Sequence, residues 1–404
     1  MKLLHTSDWH LGRTTGRESR TSDHDAVLDE IVEAAHTLRP DVICNTGDLF
    51  DKSRPGVDDV DRAVDVLTRL AAIAPTVVVS GNHDKALMFR ALDRLSRAHG
   101  LYFLSEATVE AKRVIELPVA AGGTVRLGAV SFQHPHHLVD GGGDPDTWAS
   151  LYGAAVRNLH DDVATAIRTG LDPRTDFAVF AAHAYVGGAA WSGTERRGRR
   201  DDLFATDPAE VPKVSYAAYG HIHRPQPLPG AAGAHGRYAG SPLQLDFGEA
   251  GEAKSMVYVE ADPLGPTRMD EIPLHRGRQL RRFQGTLEQL AVDAPDFGDD
   301  LCHLIIDSDT HVPNLADWVH DLLPEARVVE ISPNPADRRT RIVAAGPDVG
   351  GAHPEPTLTE MFINYLGTAN GPAPVVEVFQ QLAEAAEAEL PLTFPQETHL
   401  PEVA

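Results

Sequence analysis

Short apolar runs alternate with helix-period segments over the first two-thirds of the chain. The runs Lys2–Thr6, Val42–Thr46, Thr76–Ser80, Val125–Ser131, Phe177–Ala182 and Tyr216–Gly220 predict strands, several of them rich in β-branched or aromatic residues. Between them, Val27, Leu28, Ile31, Val32, Ala35 and Leu38 fall on one helical face, and Val60, Val64, Leu67 and Ala71 on another. Alternation of this kind predicts α/β layers in which the helices cover a sheet.

The pattern changes twice further on. Residues 262–280 are rich in Pro, Gly and Arg and predict a passage into a second domain. Beyond it, a strand at Leu301–Ile306, a helix over Leu315–Leu323 and a strand at Arg327–Ile331 are sized for a small βαβ unit. A second Pro/Gly-rich passage, residues 344–356, precedes two amphipathic helices. The first places Leu358, Met361, Phe362, Tyr365 and Leu366 on one face behind a Thr357/Glu360 capping box; the second aligns Val375, Val378, Phe379, Leu382 and Ala386. The expected division is therefore residues 1–275, 276–345 and 353–404.

Candidate chemistry sits where the strands end, the edge at which α/β sheets build sites. The segments are Ser7-Asp8-Trp9-His10, Gly47-Asp48, Gly81-Asn82-His83-Asp84, Ala182-His183 and Gly220-His221-Ile222-His223. Taken singly, each is an ordinary turn or core residue. Jointly they offer carboxylates, imidazoles and an amide, the donors two divalent cations need to clamp a phosphoryl group and activate water. Asp48 is the expected bridge. Asp8, His10 and His223 would complete one ion, and Asn82, His183 and His221 the other. Mixed nitrogen and oxygen donors without thiolate favour manganese, iron or zinc. His83 stands beside this set as a candidate acid for the departing oxygen, with Asp84 either orienting it or stabilising the turn.

These motifs resemble those of the calcineurin-like metallophosphoesterases. More narrowly, His5-Thr-Ser-Asp-Trp-His-Leu-Gly-Arg13, Gly47-Asp-Leu-Phe-Asp51, Ser192-Gly-Thr-Glu-Arg196, Gly220-His-Ile-His-Arg-Pro-Gln226 and Tyr238-Ala-Gly-Ser-Pro-Leu-Gln244 are similar to the SbcD family of nuclease subunits. The resemblance implies a two-sheet αββα sandwich over a dinuclear site, followed by a small α/β capping domain and C-terminal helices that dock on an SbcC-type coiled-coil ATPase. It implies Asp8, His10, Asp48, Asn82, His183, His221 and His223 as ligands of two ions, Mn2+ by preference, with His83 contacting the scissile phosphate. It further implies a homodimer within a heterotetramer that digests double-stranded DNA ends with ATP and cuts single strands and hairpins, in repair, recombination and replication. A stand-alone phosphatase or cyclic-nucleotide phosphodiesterase would share all five motifs.

Composition adjusts this reading. Acidic residues outnumber basic ones 59 to 36, a formal charge of −23, so a simple electrostatic clamp on nucleic acid is excluded. Phosphate contacts are expected locally, from Arg13, Lys52 and Arg54 after the first two motifs; the Glu195-Arg-Arg-Gly-Arg-Arg200 insertion either adds to them or is a solvated loop whose arginines pair with Asp201 and Asp202. His134, His136 and His137 flank Pro135 and are expected in a polar loop outside the metal site. Cys44 and Cys302 lie among apolar neighbours and read as buried thiols, which with no signal-peptide or membrane-spanning pattern predicts a cytoplasmic protein.

Overall fold

In the computed structural model the described residues are 1–105, 114–138, 145–192, 205–230, 235–309 and 312–335. The expected C-terminal helices and the arginine-rich insertion lie outside them. The first sheet contains β1 (Lys2–Thr6), β4 (Val42–Asn45), β5 (Thr76–Val79), β6 (Leu101–Leu104), β13 (Lys254–Ala261) and β14 (Thr267–Leu274), in the order β14-β13-β1-β4-β5-β6. The second contains β7 (Ile115–Pro118), β8 (Thr124–Val130), β9 (Phe177–His183), β10 (Tyr216–Gly220), β11 (Gln226–Pro227) and β12 (Gly236–Tyr238), in the order β11-β12-β10-β9-β8-β7. Strands β1, β4, β5 and β6 are mutually parallel, as are β8, β9, β10 and β12; antiparallel strands close both edges of the second sheet and the β13–β14 side of the first.

Three apolar layers explain this stacking. Leu3, Val42, Cys44, Val77 and Val79 from the first sheet meet Val125, Val179, Ala181 and Ala218 from the second. Helices α1 (Thr21–Leu38), α2 (Val57–Ala71) and α3 (Ala86–Ser96) cover the outer face of the first sheet, and α5 (Pro145–Arg168) that of the second, after the short α4 (Pro135–Leu138). The result is an αββα sandwich, as the resemblance implied. Strands buried on both faces account for their continuous rather than alternating apolar runs.

Two expectations need correction. The buried face of α2 is Ala63, Val66, Leu67 and Leu70, while Val64 is 37% exposed, so the helix is rotated from the predicted stripe. Residues 262–280 are not wholly a linker, because Thr267–Leu274 forms β14, paired along its length with β13. As an edge strand it tolerates Pro273 and a polar outer face, which disguised it in the sequence.

The chain then enters a separate three-stranded sheet, β15 (Leu280–Gly285), β16 (Leu301–Ser308) and β17 (Arg327–Pro335), parallel throughout and covered by α6 (Leu287–Asp293) and α7 (Leu315–Leu322). It has its own core of Leu290, Phe297, Cys302, Leu304, Ile306 and Val319. The connection is anchored on α1: Asp23 accepts the Arg278 backbone N–H at 3.0 Å and its guanidinium at 2.9 Å, while the buried Arg20 donates to Asp23 and to the Gln244 and Arg278 carbonyls. Within the hairpin β2–β3 (Thr14–Thr15, Glu18–Ser19), Glu18 pairs with Arg327 of the small sheet at 2.7 Å. Cys44 and Cys302 are free and buried, and no helix among the described residues is long and apolar enough to cross a membrane.

Candidate metal centre

All five sequence segments converge at the C-terminal ends of β1, β4, β5, β9 and β10. Their backbones pay a conformational cost to do so: Asp8, His10, Asp48 and His221 are four of the six non-glycine residues with positive φ among the described residues. Strain of this kind gathers where side chains must be aimed rather than relaxed. Gly81 and Gly220 permit the approach. A Cβ at Gly81 would collide with the Asp48 carboxylate, and one at Gly220 with Ser7 Oγ and the Thr46 carbonyl.

The donor atoms form three overlapping groups, Asp8/His10/His223, His10/Asp48/His83 and Asp48/His183/His221, each with its ligand atoms within 4.8 Å of one another. Asn82 joins the last, its Oδ1 being 3.0 Å from both His183 Nε2 and His221 Nδ1. Asp48 is shared, with Oδ2 lying 3.6 Å from His10 Nε2 and 3.5 Å from His183 Nε2. Asp8 also accepts the His221 backbone N–H at 3.1 Å, tying the first motif to the last.

The protonation pattern tests whether these residues suit cations. His223 Nδ1 faces the buried Glu249 carboxylate at 2.9 Å, which places its proton there and leaves a lone pair on Nε2. His10 has a carboxylate off each ring nitrogen, Asp51 at 3.6 Å from Nδ1 and Asp48 at 3.6 Å from Nε2. The Nε2 atoms of His10 and His223 stand 3.2 Å apart. The His223 lone pair, the His10 imidazole and the Asp8 carboxylate thus converge as a donor set that suits a cation. On the other side, His183 Nδ1 donates to the Thr46 carbonyl at 2.7 Å, so its Nε2 confronts the acceptors of Asn82 and Asp48. The set of oxygen and imidazole donors therefore fits two divalent ions.

Without ions, protons answer the same demand. Burial would lower His183, but Asp48 outweighs it and pushes the imidazole up to about 9. Burial would raise Asp48, but His183, His10 and His83 hold its carboxyl well below the usual range. Desolvation dominates at Asp8, raised to about 6, and at His10 and His221, lowered to about 4 and about 3.

His83 lies against this cluster. Its backbone N–H donates to Asp48 Oδ1 at 2.8 Å, its Nδ1 meets the Asp51 carbonyl at 2.6 Å, and its ring stands edge-on to His10 at 4.9 Å. Asp84 does not orient it. The Asp84 carboxylate instead accepts the backbone N–H groups of Gly81, Leu49 and Phe50, joining the third motif loop to the second, and burial followed by the nearby Asp48 pushes it up to about 7. The turn-stabilising alternative is the one the structure displays.

Several supporting residues had no signal in the sequence. Glu249 is fully buried, receives Lys254 Nζ at 2.6 Å and the Leu245 N–H at 3.1 Å, and is held well below the usual carboxylate range by Lys254 and His223 against the effect of burial. His5 bridges the sheets beneath the centre, with Nδ1 at 2.9 Å from Tyr216 Oη and Nε2 at 2.9 Å from Thr46 Oγ1. His24 on α1 contacts the Trp9 carbonyl at 2.8 Å, between Asp8 and His10. Of the expected phosphate contacts, Arg13 is engaged with Asp51 at 3.2 Å, whereas Lys52 and Arg54 are exposed. His134 stands edge-on to Phe132 at 4.9 Å.

Comparison with known proteins agrees with this geometry. The family model for calcineurin-like phosphoesterases matches residues 1–225. The SbcD component of the nuclease SbcCD in Bacillus subtilis (strain 168) is 30% identical over 290 residues, covering 70% of this chain and 72% of its own length. Its namesake in Escherichia coli (strain K12) is 30% identical over 265 residues, covering 63% of each chain, and that of Staphylococcus saprophyticus is 25% identical over 293 residues, covering 71% and 73%.

Proposed function

This chain belongs to the calcineurin-like phosphoesterase family and carries the clustered His/Asp triads of a dinuclear metal-dependent hydrolase, and we propose that it is the DNA nuclease subunit of a complex with an SbcC-type coiled-coil ATPase. The observation that carries the reading is the convergence of Asp8 with the His10 and His223 Nε2 atoms, 3.2 Å apart, beside a second donor group sharing Asp48. The names of its relatives turn this hydrolase reading toward phosphodiesters in DNA.

In this reading Asp8, His10 and His223 would hold one ion and Asn82, His183 and His221 the other, with Asp48 shared by the two groups. Two such ions, Mn2+ by preference, would supply Lewis acidity toward the phosphoryl group and its attacking water. His83 donates its Nδ1 proton to the Asp51 carbonyl, and acting as the imidazolium it would carry a second proton on Nε2 to give to the departing oxygen. Glu249 and Thr46 fix the ring orientation of His223 and His183. Exposed Lys52 and Arg54 serve the DNA backbone, with Arg13 held beside them by Asp51.

The small sheet of residues 276–345 serves as the capping domain over residues 1–275, and residues 353–404 dock on the ATPase. A homodimer within the complex is proposed with it. The test is hydrolysis of hairpin and double-stranded DNA in manganese, by the protein alone and with the ATPase and ATP. Cleavage supports the reading. Intact DNA alongside rapid hydrolysis of a small phosphomonoester would replace it with a stand-alone phosphatase.

A further inference from the structure

Aromatic side chains frame the centre on the side of His183 and His221. Phe132, in the loop after β8, lies 5.5 Å from the His221 ring at a tilt of 35° and 6.0 Å from His183, edge-on. Trp191, in the loop after β9, meets the His221 ring at 5.8 Å and 78°. Tyr185 lies against the indole at 4.4 Å and 32°, an offset stack that holds Trp191 in place.

All three rings are half-buried, as is the His221 ring they meet, whereas His183 is fully buried. Only 6% of the chain is aromatic, so this concentration beside one half of the site is not a general property of its surface. Packing alone would have been served by aliphatic side chains, and large rings left partly in water at the rim of a site present flat apolar faces to a ligand. A phosphodiester seated on the donor cluster carries its neighbouring nucleotide to this rim. The planar apolar group on a nucleotide is its base, and aromatic faces bind bases in a sequence-tolerant way when those bases are unpaired.

We infer that Trp191, braced by Tyr185 and faced by Phe132, is a stacking platform for an unpaired nucleobase beside the scissile phosphodiester. This rests on the nuclease reading above and deepens it, because a platform of this kind favours single-stranded or splayed nucleotides over paired ones. Trp191 is thus a specificity-determining residue, and its contact with substrate is through the base rather than the phosphate.

The test uses the full chain in manganese with single-stranded oligonucleotides in which one nucleotide at a time is replaced by an abasic unit. The wild-type protein is expected to lose roughly tenfold in kcat/KM when the base that meets Trp191 is removed. Trp191→Ala is expected to lose a similar factor on the intact strand and to show no further loss at that abasic position, while Trp191→Phe restores most of the discrimination. Manganese occupancy, measured on the same samples, should be equal in all three. Equal cleavage of intact and abasic strands by the wild type would overturn the inference. So would a Trp191→Ala variant that loses metal and slows on every substrate alike, since the indole would then only brace His221. Failure to cut any oligonucleotide, with a phosphomonoester still hydrolysed, would overturn the nuclease reading itself and this inference with it.

Discussion

His223 divides its two nitrogens between different tasks, and that division makes a testable claim about a residue outside the five motifs. Nδ1 is committed to Glu249, so Nε2 is presented as a lone pair toward His10. Glu249→Gln keeps the shape but removes the charge that fixes this tautomer and raises the basicity of the ring. Manganese affinity should fall roughly 10- to 100-fold in titration calorimetry; an unchanged affinity would mean Glu249 serves Lys254 alone. His83 poses a different question, because its ring falls within reach of both His10 and Asp48 yet its Nδ1 is tied to a carbonyl. His83→Ala should retain two manganese ions per chain by elemental analysis and lose turnover by about 10²- to 10⁴-fold, the range for a general acid. Loss of an ion in that variant would make His83 a ligand instead.

The strand ends were readable in the sequence because each motif follows directly on an apolar run. Asp8, Asp48, Asn82 and His221 are within a few residues of β1, β4, β5 and β10, so local order alone nearly places them. Glu249, Asp51 and His5 were not readable, because their roles depend on contacts across the fold, as with Glu249 reaching His223 from a short 3-10 turn at Phe247–Glu249. The face of α2 was misjudged for a related reason: valines spaced for one stripe met the sheet along another, with Val66 buried and Val64 outward. On the second sheet, α5 brings His160 against Phe180 at 5.0 Å, where burial lowers it to about 4 from an ordinary 6.5. The unfolded chain therefore binds one more proton between those values, so stability is present above pH 6.5 and is lost as pH falls toward 4, by on the order of 3 kcal/mol. Urea unfolding of His160→Phe at pH 5 and pH 7 should show a smaller difference than the wild type. An identical difference would assign the acid limb to other groups.

For the whole molecule, a charge of −23 and a phosphodiester substrate are compatible only if attraction is local. Two divalent ions would more than neutralise Asp8 and Asp48 at the centre, while the surrounding surface gives DNA little general grip. Weak binding by the isolated chain is therefore expected, with the proposed ATPase partner supplying much of the hold; tight, steeply salt-dependent binding by the chain alone would contradict this. The charge is also unevenly placed. Residues 345–404 carry Asp348 and eight glutamates and no Lys or Arg, a composition that suits a protein surface better than a polyanion. Every donor of the metal centre and its supporting shell lies between His5 and Lys254, and the contact pattern divides the chain at Asp337, with Arg338–Ala404 as a separate unit. Deleting residues 353–404 should therefore leave manganese-dependent hydrolysis within about twofold of the full chain, since every ligand and the acid identified among the described residues is retained. Co-purification with the ATPase should be lost, and with it the ATP-dependent fraction of the activity. A truncated chain that still binds the ATPase would move the docking surface onto the sandwich or the small sheet, where the exposed Trp318 and Val292 of α7 and α6 would be the next side chains to change.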